Sequence, residues 1–156
     1  MFQIKQIIPQ DFCLACQGCC RFLKQKTVWS ARLMKREKEK LGCRFNKLRL
    51  FAHPQKNIFI CEFFNYRQNK CRIYSRRPFD CRLYPFLLQR KGRRIYLAVE
   101  TNCPFVQDNQ DSPGFQKFIR YLIALLRRPD WRRTLRDNPQ VIQKYTRVLS
   151  LTELKF

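Results

Sequence analysis

Four cysteines fall within a short stretch, Cys13-Leu14-Ala15-Cys16-Gln17-Gly18-Cys19-Cys20. Thiolate sulfur is a soft donor, and two intervening residues let the backbone curl so that both sulfurs of a C-x2-C unit reach one metal centre. A third cysteine after two more residues resembles the run that holds iron–sulfur clusters, in which a Cys-Pro commonly supplies the remaining ligand; Cys103-Pro104 is such a pair. Gly18 permits the backbone to turn tightly around a bound group. Cys20 adjoins Cys19, and neighbouring Cβ atoms usually diverge. One of the two is therefore expected to serve a second centre or to act as a redox or resolving thiol.

Cys61, Cys71 and Cys81 form a second, evenly spaced set, which Cys103 brings to four. Eight cysteines in two groups suit two four-ligand sites, or one cluster with spare thiols, and spacing alone leaves the partition open. Cys43 has no partner at motif spacing and is expected to be structural. His53 is the single histidine, in an expected loop before Pro54, which argues against a histidine base or a Ser-His-Asp triad. There is no P-loop and no G-x-G-x-x-G.

The rest of the composition narrows the setting. With 156 residues the chain is long enough to bury a core, and 45% hydrophobic residues exclude a disordered composition. The first residues are too short and interrupted a run for an export signal, and no apolar stretch approaches a membrane span. A cytoplasmic location is expected, where thiols stay reduced, and nine is in any case an odd number to pair. The formal net charge is +22. Two tetrathiolate sites would lower it only to roughly +18. Such a surface attracts polyanions, nucleic acid among them.

The elements that must position these residues read as follows. Asp11–Cys20 is expected to be a loop. Ser30 is a candidate N-cap for a helix over Ala31–Leu41, with Gly42 as its C′ residue. Asn57–Phe64 and Cys71–Tyr74 read as strands joined through Arg67–Lys70. Tyr84–Gln89 and Arg94–Val99 read as a second hairpin around Gly92. From Pro113 the apolar residues Phe115, Phe118, Leu122 and Leu126 recur at helical spacing until Pro129 ends the run. A short helix over Trp131–Arg136 is expected next. Pro139 is expected to open a last helix bearing Val141, Tyr145 and Val148–Leu149. The whole predicts one α+β domain over residues 1–156. A cysteine-rich β-hairpin portion (11–104) would hold metal, with helices (113–152) packed against it.

Cys13-x2-Cys16-Gln17-Gly18-Cys19-Cys20, then Cys61-Glu62-Phe63-Phe64, then Cys71-Arg72-Ile73-Tyr74-Ser75-Arg76-Arg77-Pro78-Phe79-Asp80-Cys81-Arg82-Leu83-Tyr84-Pro85-Phe86, resembles the CxxCxxCC cysteine-cluster family, the YkgJ-type group described as chelating zinc or iron. Cys103 stands where that pattern has its later cysteine, so the match runs from about 13 to 104. Gln17-Gly18 departs from the more usual Gly-x order. The resemblance implies Cys13, Cys16, Cys19, Cys20, Cys61, Cys71, Cys81 and Cys103 as metal ligands. It extends distantly to flagellin lysine N-methylase, although this chain is shorter, very basic and without a visible S-adenosylmethionine site. Arg77 and Arg82 flank a candidate ligand, where cations stabilise thiolate and offset the negative charge of the site.

Three functions are therefore expected in order. The first is a cysteine-cluster protein carrying an iron–sulfur cluster, four-iron four-sulfur favoured, or zinc, in a redox, maturation or accessory role. The second is a zinc-stapled basic module in which Arg127, Arg128, Arg132, Arg133, Arg136, Lys144 and Arg147 meet nucleic-acid phosphates. The third is a protein lysine methylase-like enzyme.

Overall fold

The structure is a computed structural model that describes residues 4–16 and 18–155. The chain is α+β and divides into two compact units, Ile8–Arg82 and a second one formed by Leu83 onward together with the stretch ending at Ile7.

The first, cysteine-rich unit begins with α1 (Gln10–Ala15), where a loop is expected from sequence. Pro9 occupies the N-cap position and Asp11 lies in the first turn, where an acid opposes the helix dipole favourably. β1 (Arg21–Phe22), β2 (Leu50–Ala52) and β3 (Phe59–Cys61) form an antiparallel sheet with β3 in the middle. β4 (Phe64–Asn65) and β5 (Lys70–Cys71) make a separate two-stranded hairpin. The run expected as one strand over Asn57–Phe64 is thus broken after Cys61. Its first part pairs with β1 and β2, and only Phe64–Asn65 meets the segment of Cys71.

α2 is shorter than its sequence suggests, covering Lys35–Lys40. Ser30 does not cap it, because the buried Ser30 hydroxyl donates to the Leu48 carbonyl at 2.5 Å. Residues 31–33 are instead tied laterally, Leu33 N–H to Asn46 O and Leu48 N–H to Ala31 O, both at 2.9 Å. These bonds consume the groups a helix would need, so the helix starts only where the Glu37 side chain can accept the Met34 amide. Gly42 at φ 63° ends it as expected. The last helix of this unit, α3 (Phe79–Leu83), follows Pro78, and the boundary between units falls in its final turn.

The second unit is built on the hairpin β6 (Phe86–Lys91) and β7 (Arg94–Val99), turned at Gly92 with φ 58°, as its sequence predicts. A third strand, β8 (Leu149–Leu154), pairs with β7. This corrects the expected last helix. Pro139–Val141 makes only a single 3-10 turn, Arg147 adopts φ 60°, and the chain then runs extended along β7. α4 (Pro104–Asn109), α5 (Pro113–Leu126) and α6 (Pro129–Asp137) complete the unit. The Ser112 hydroxyl caps α5 by accepting the Phe115 amide, and Pro129 serves as the first residue of α6. Leu88, Leu97, Leu122, Leu126, Trp131 and Leu135 are buried, with Phe86 stacked near Phe115 and Phe118. No helix among the described residues is long and apolar enough to cross a membrane.

Candidate metal centre

Five elements of the cysteine-rich unit, α1, a turn, β3, β5 and α3, carry seven thiols into one neighbourhood. Cys13 lies on α1 and Cys16 is its C-cap residue, with the Cys16 amide donating to Phe12 O at 2.9 Å. Three residues of separation on a helical turn put both side chains on the same side. C-x2-C is therefore delivered by a helix end, not a loop. A turn then closes with Arg21 N–H on Gly18 O at 3.0 Å and carries Cys19 and Cys20. In that turn the two adjacent thiols do not diverge as expected; they hydrogen-bond each other. The Cys20 carbonyl accepts the Cys61 amide at 3.2 Å, which joins this turn to β3.

Cys19 is the hub. Its thiol hydrogen-bonds Cys13 and Cys20, Cys16 lies close enough to act on it, and its own charge acts on Cys61 and Cys81. Cys61, on β3, lies in the field of Cys71, and Cys71, on β5, in that of Cys13. The pKa values of Cys13, Cys19, Cys61, Cys71 and Cys81 are all raised. At Cys13 the hydrogen bond with Cys19 leads and desolvation follows. Cys19 is raised although its bond with Cys13 lowers it, because the Cys20 bond and desolvation outweigh that effect; residue 19 is exposed overall, while its sulfur is crowded by other thiols. Desolvation pushes Cys61 up to about 12 and raises Cys71 and, most strongly, Cys81. Without metal these groups are thiols.

Against that trend stand groups arranged for anionic sulfur. The Phe63 amide donates to the Cys61 sulfur and the Ile73 amide to the Cys71 sulfur, each from two residues further on. Amides aimed at sulfur favour thiolate over thiol. Arg77 is buried with its guanidinium 3.8 Å from the Tyr74 ring centroid. One of its N–H groups reaches the Cys13 sulfur at 3.9 Å, another donates to Tyr74 O, and its charge lowers Cys13, Cys71 and Cys81. Arg82 instead donates to Ser75 O at 3.0 Å and acts on Glu37.

Two carboxylates that the sequence reading did not single out hold the segment of Cys81 in place. Asp80 accepts the Arg32 amide at 2.8 Å, and desolvation pushes this buried acid up to about 7. Glu37 accepts the Phe79 amide at 2.6 Å. The S/T-free start of α2 hid Glu37 as a capping residue, and no local pattern marks Asp80.

Among the described residues no three Cys, His, Asp or Glu side chains already form a metal-holding group. The Cys13, Cys19 and Cys20 thiols hydrogen-bond in a chain through Cys19, and ligation requires thiols to lose their protons. The donor set nevertheless fits a thiophilic metal: it is all sulfur, with amides and a buried cation directed at it. The backbone approaches the sulfur closely in the same place, since a Cβ on Gly18 would stand 3.2 Å from the Cys16 sulfur.

Three further candidates complete the sequence-predicted set. Cys103 belongs to the second unit, where it is buried and precedes α4. Cys43 lines a cleft and donates weakly to Leu41 O at 3.9 Å. His53 accepts the Gln55 amide and packs edge-on against Tyr66. Of the C-terminal arginines, Arg128 is paired with Asp130 at 2.7 Å.

A sequence model of the CxxCxxCC family, described as "Putative zinc- or iron-chelating domain", matches residues 12–104. The chain belongs to this family. The CxxCxxCC match spans the seven clustered thiols of the first unit, with Cys43 between them, and continues to Cys103. No curated protein and no solved structure matches the chain. The protein is thus a cysteine-cluster protein of a metal-chelating family.

Proposed function

We propose that the cysteine-rich unit holds an iron–sulfur cluster, four-iron four-sulfur in preference to zinc, and that the protein serves a redox or accessory role. The observation that carries this reading is the pair of amide-to-sulfur bonds, Phe63 to Cys61 and Ile73 to Cys71, beside the buried cation of Arg77. Hydrogen bonds to sulfur and local charge are the means by which a protein sets the potential of a cluster. A single zinc uses four ligands, and seven thiols share this neighbourhood. Cys13, Cys16 and Cys19 are the first ligands we assign, with Cys20, Cys61, Cys71 and Cys81 supplying the remainder. A cluster held there supplies one-electron transfer or a staple for the fold. The polypeptide orients the sulfurs, keeps Arg77 out of water, and places positive charge against the thiolates. Such a centre needs reduced cysteines, which places the function in a reducing compartment, the cytosol.

The test is anaerobic purification followed by iron, zinc and acid-labile sulfide analysis with a visible spectrum. Iron with matching sulfide, and a broad band near ~400 nm, is expected for a cluster. Zinc without sulfide would replace the cluster with a structural tetrathiolate. Cys13→Ser, Cys16→Ser and Cys19→Ser should each lower metal content and stability, because metal binding contributes folding free energy. Undiminished metal in all three variants would remove these cysteines from the ligand set.

A further inference from the structure

Outside the thiol neighbourhood, the segment Arg44-Phe45-Asn46-Lys47-Leu48-Arg49-Leu50-Phe51 has an alternation that the metal centre does not use. Leu48 and Leu50 are buried at 3% and 5% exposure. Lys47, Arg49 and Phe51 therefore project to the opposite side, and all three are exposed. Phe45 and Phe51 keep 49% and 48% of their surface in water, two aromatic faces presented within one short segment. Each ring has a guanidinium alongside, Arg44 at 5.8 Å from the Phe45 centroid and Arg49 at 5.3 Å from the Phe51 centroid. Phe51 lies on β2, an edge strand of its sheet.

A cleft of about 290 Å³ opens beside Phe45, with Arg44, Phe45, Lys47, Arg49 and Phe63 on its walls, and Phe51 adjoins it through the Arg49 guanidinium. Glu62 is the acidic residue of that wall, and Arg49 occupies it twice, through its amide at 2.7 Å and its guanidinium at 3.2 Å. The acid is neutralised in place, and the charge left to the cleft comes from Arg44 and Lys47. Exposed rings standing beside cations match one polymer in particular. A single-stranded polynucleotide offers flat bases to stack and phosphates to neutralise, without requiring a base-specific contact.

We propose that this surface, Arg44 to Phe51 with its cleft, binds single-stranded nucleic acid, Phe45 and Phe51 stacking bases while Arg44 and Lys47 meet phosphates. The inference is independent of which metal the thiols hold. It also places the contact in the cysteine-rich unit, not on the arginines of α6.

The experiment uses the full chain, purified anaerobically with its metal. Short fluorescein-labelled oligo-uridine and oligo-thymidine serve as probes, read by anisotropy across a salt series. Binding to either probe is expected. Phe45→Ala and Phe51→Ala should each weaken it about ten-fold at constant salt slope. Arg44→Gln with Lys47→Gln should flatten the slope of log affinity against log salt by about 1.4, at about 0.7 per phosphate contact. Arg133→Gln with Arg136→Gln on α6 is the control and should leave that slope in place. An oligonucleotide carrying 2-aminopurine should change fluorescence on binding the parent and not the double Phe variant. Full affinity in both Phe variants would overturn the proposal. So would a slope loss in the α6 control equal to that of Arg44/Lys47. Binding to phosphatidylserine vesicles in place of the oligonucleotides would overturn it in favour of a membrane surface. Circular dichroism of these surface variants checks that each retains the fold.

Discussion

Glu37 and Phe79 are joined across the cysteine-rich unit: one carboxylate oxygen of Glu37 accepts the Phe79 amide at 2.6 Å while the other accepts the Met34 amide at 2.9 Å. A single side chain thus closes the first turn of α2 and grips the start of α3, two residues before Cys81. Removing it leaves two amides without acceptors. Glu37→Ala is expected to cost about 2 kcal/mol, read from urea unfolding at neutral pH. A loss within a few tenths of the parent value would show that water satisfies both amides equally well.

The same carboxylate makes stability depend on pH. Desolvation raises its pKa above 4.5 and prevails over the two amides and Arg82, which lower it. The folded chain then keeps a proton over a range in which the unfolded chain has released it. The stability attached to this proton is complete below about pH 4.5 and declines as pH rises through the raised value. The urea midpoint of the parent should fall across that interval, and Glu37→Gln should flatten the fall. Identical pH profiles for the two proteins would exclude Glu37 as the titrating group.

Gly18 tests the room beside the thiols. A Cβ there meets the Cys16 sulfur at 3.2 Å, so the thiol must shift by a few tenths of an ångström. Gly18→Ala is expected to reduce metal per chain, or to speed its loss to a chelator, with little change in secondary structure by circular dichroism. Metal content equal to the parent would mean that the Cys16 sulfur is free to give way.

Arg77 tests the charge. Its guanidinium lies between the Tyr74 ring and the Cys13 sulfur, and it favours thiolate at Cys13, Cys71 and Cys81. Arg77→Met keeps much of the apolar stem and removes the cation. Metal should leave the variant several-fold faster under chelator, and Arg77→Lys should restore part of the retention, since a point charge lacks the planar fork. Retention by Met equal to the parent would assign Arg77 a packing role on Tyr74 alone.

Local pattern accounts for much of what the chain does. The spacing of Phe115, Phe118, Leu122 and Leu126 specifies α5, and Gly92 between two apolar runs specifies the β6–β7 hairpin, because both signals act within one element. Where the reading fails, a distant partner decides. Ala31 and Leu33 have helical neighbours in sequence, yet their backbone groups bond to Leu48 and Asn46. Leu149-Ser150-Leu151-Thr152 alternates as a strand should, but Val148–Leu149 also continues a helical stripe. Only pairing with β7 resolves that ambiguity.

The candidate centre divides in the same way. The types and spacing of the cysteines, legible in a single line of residues, determine that the chain belongs to a metal-chelating class, because a thiolate's affinity for soft metals is a property of the side chain itself. Which thiols share a neighbourhood is decided by tertiary structure, since Cys13, Cys19, Cys61, Cys71 and Cys81 arrive on α1, a turn, β3, β5 and α3. The aim of the Phe63 and Ile73 amides and the grip of Glu37 and Asp80 are likewise set by backbone conformation and long-range contact. A hydrogen bond depends on direction and separation in space, and neither is written in the order of residues.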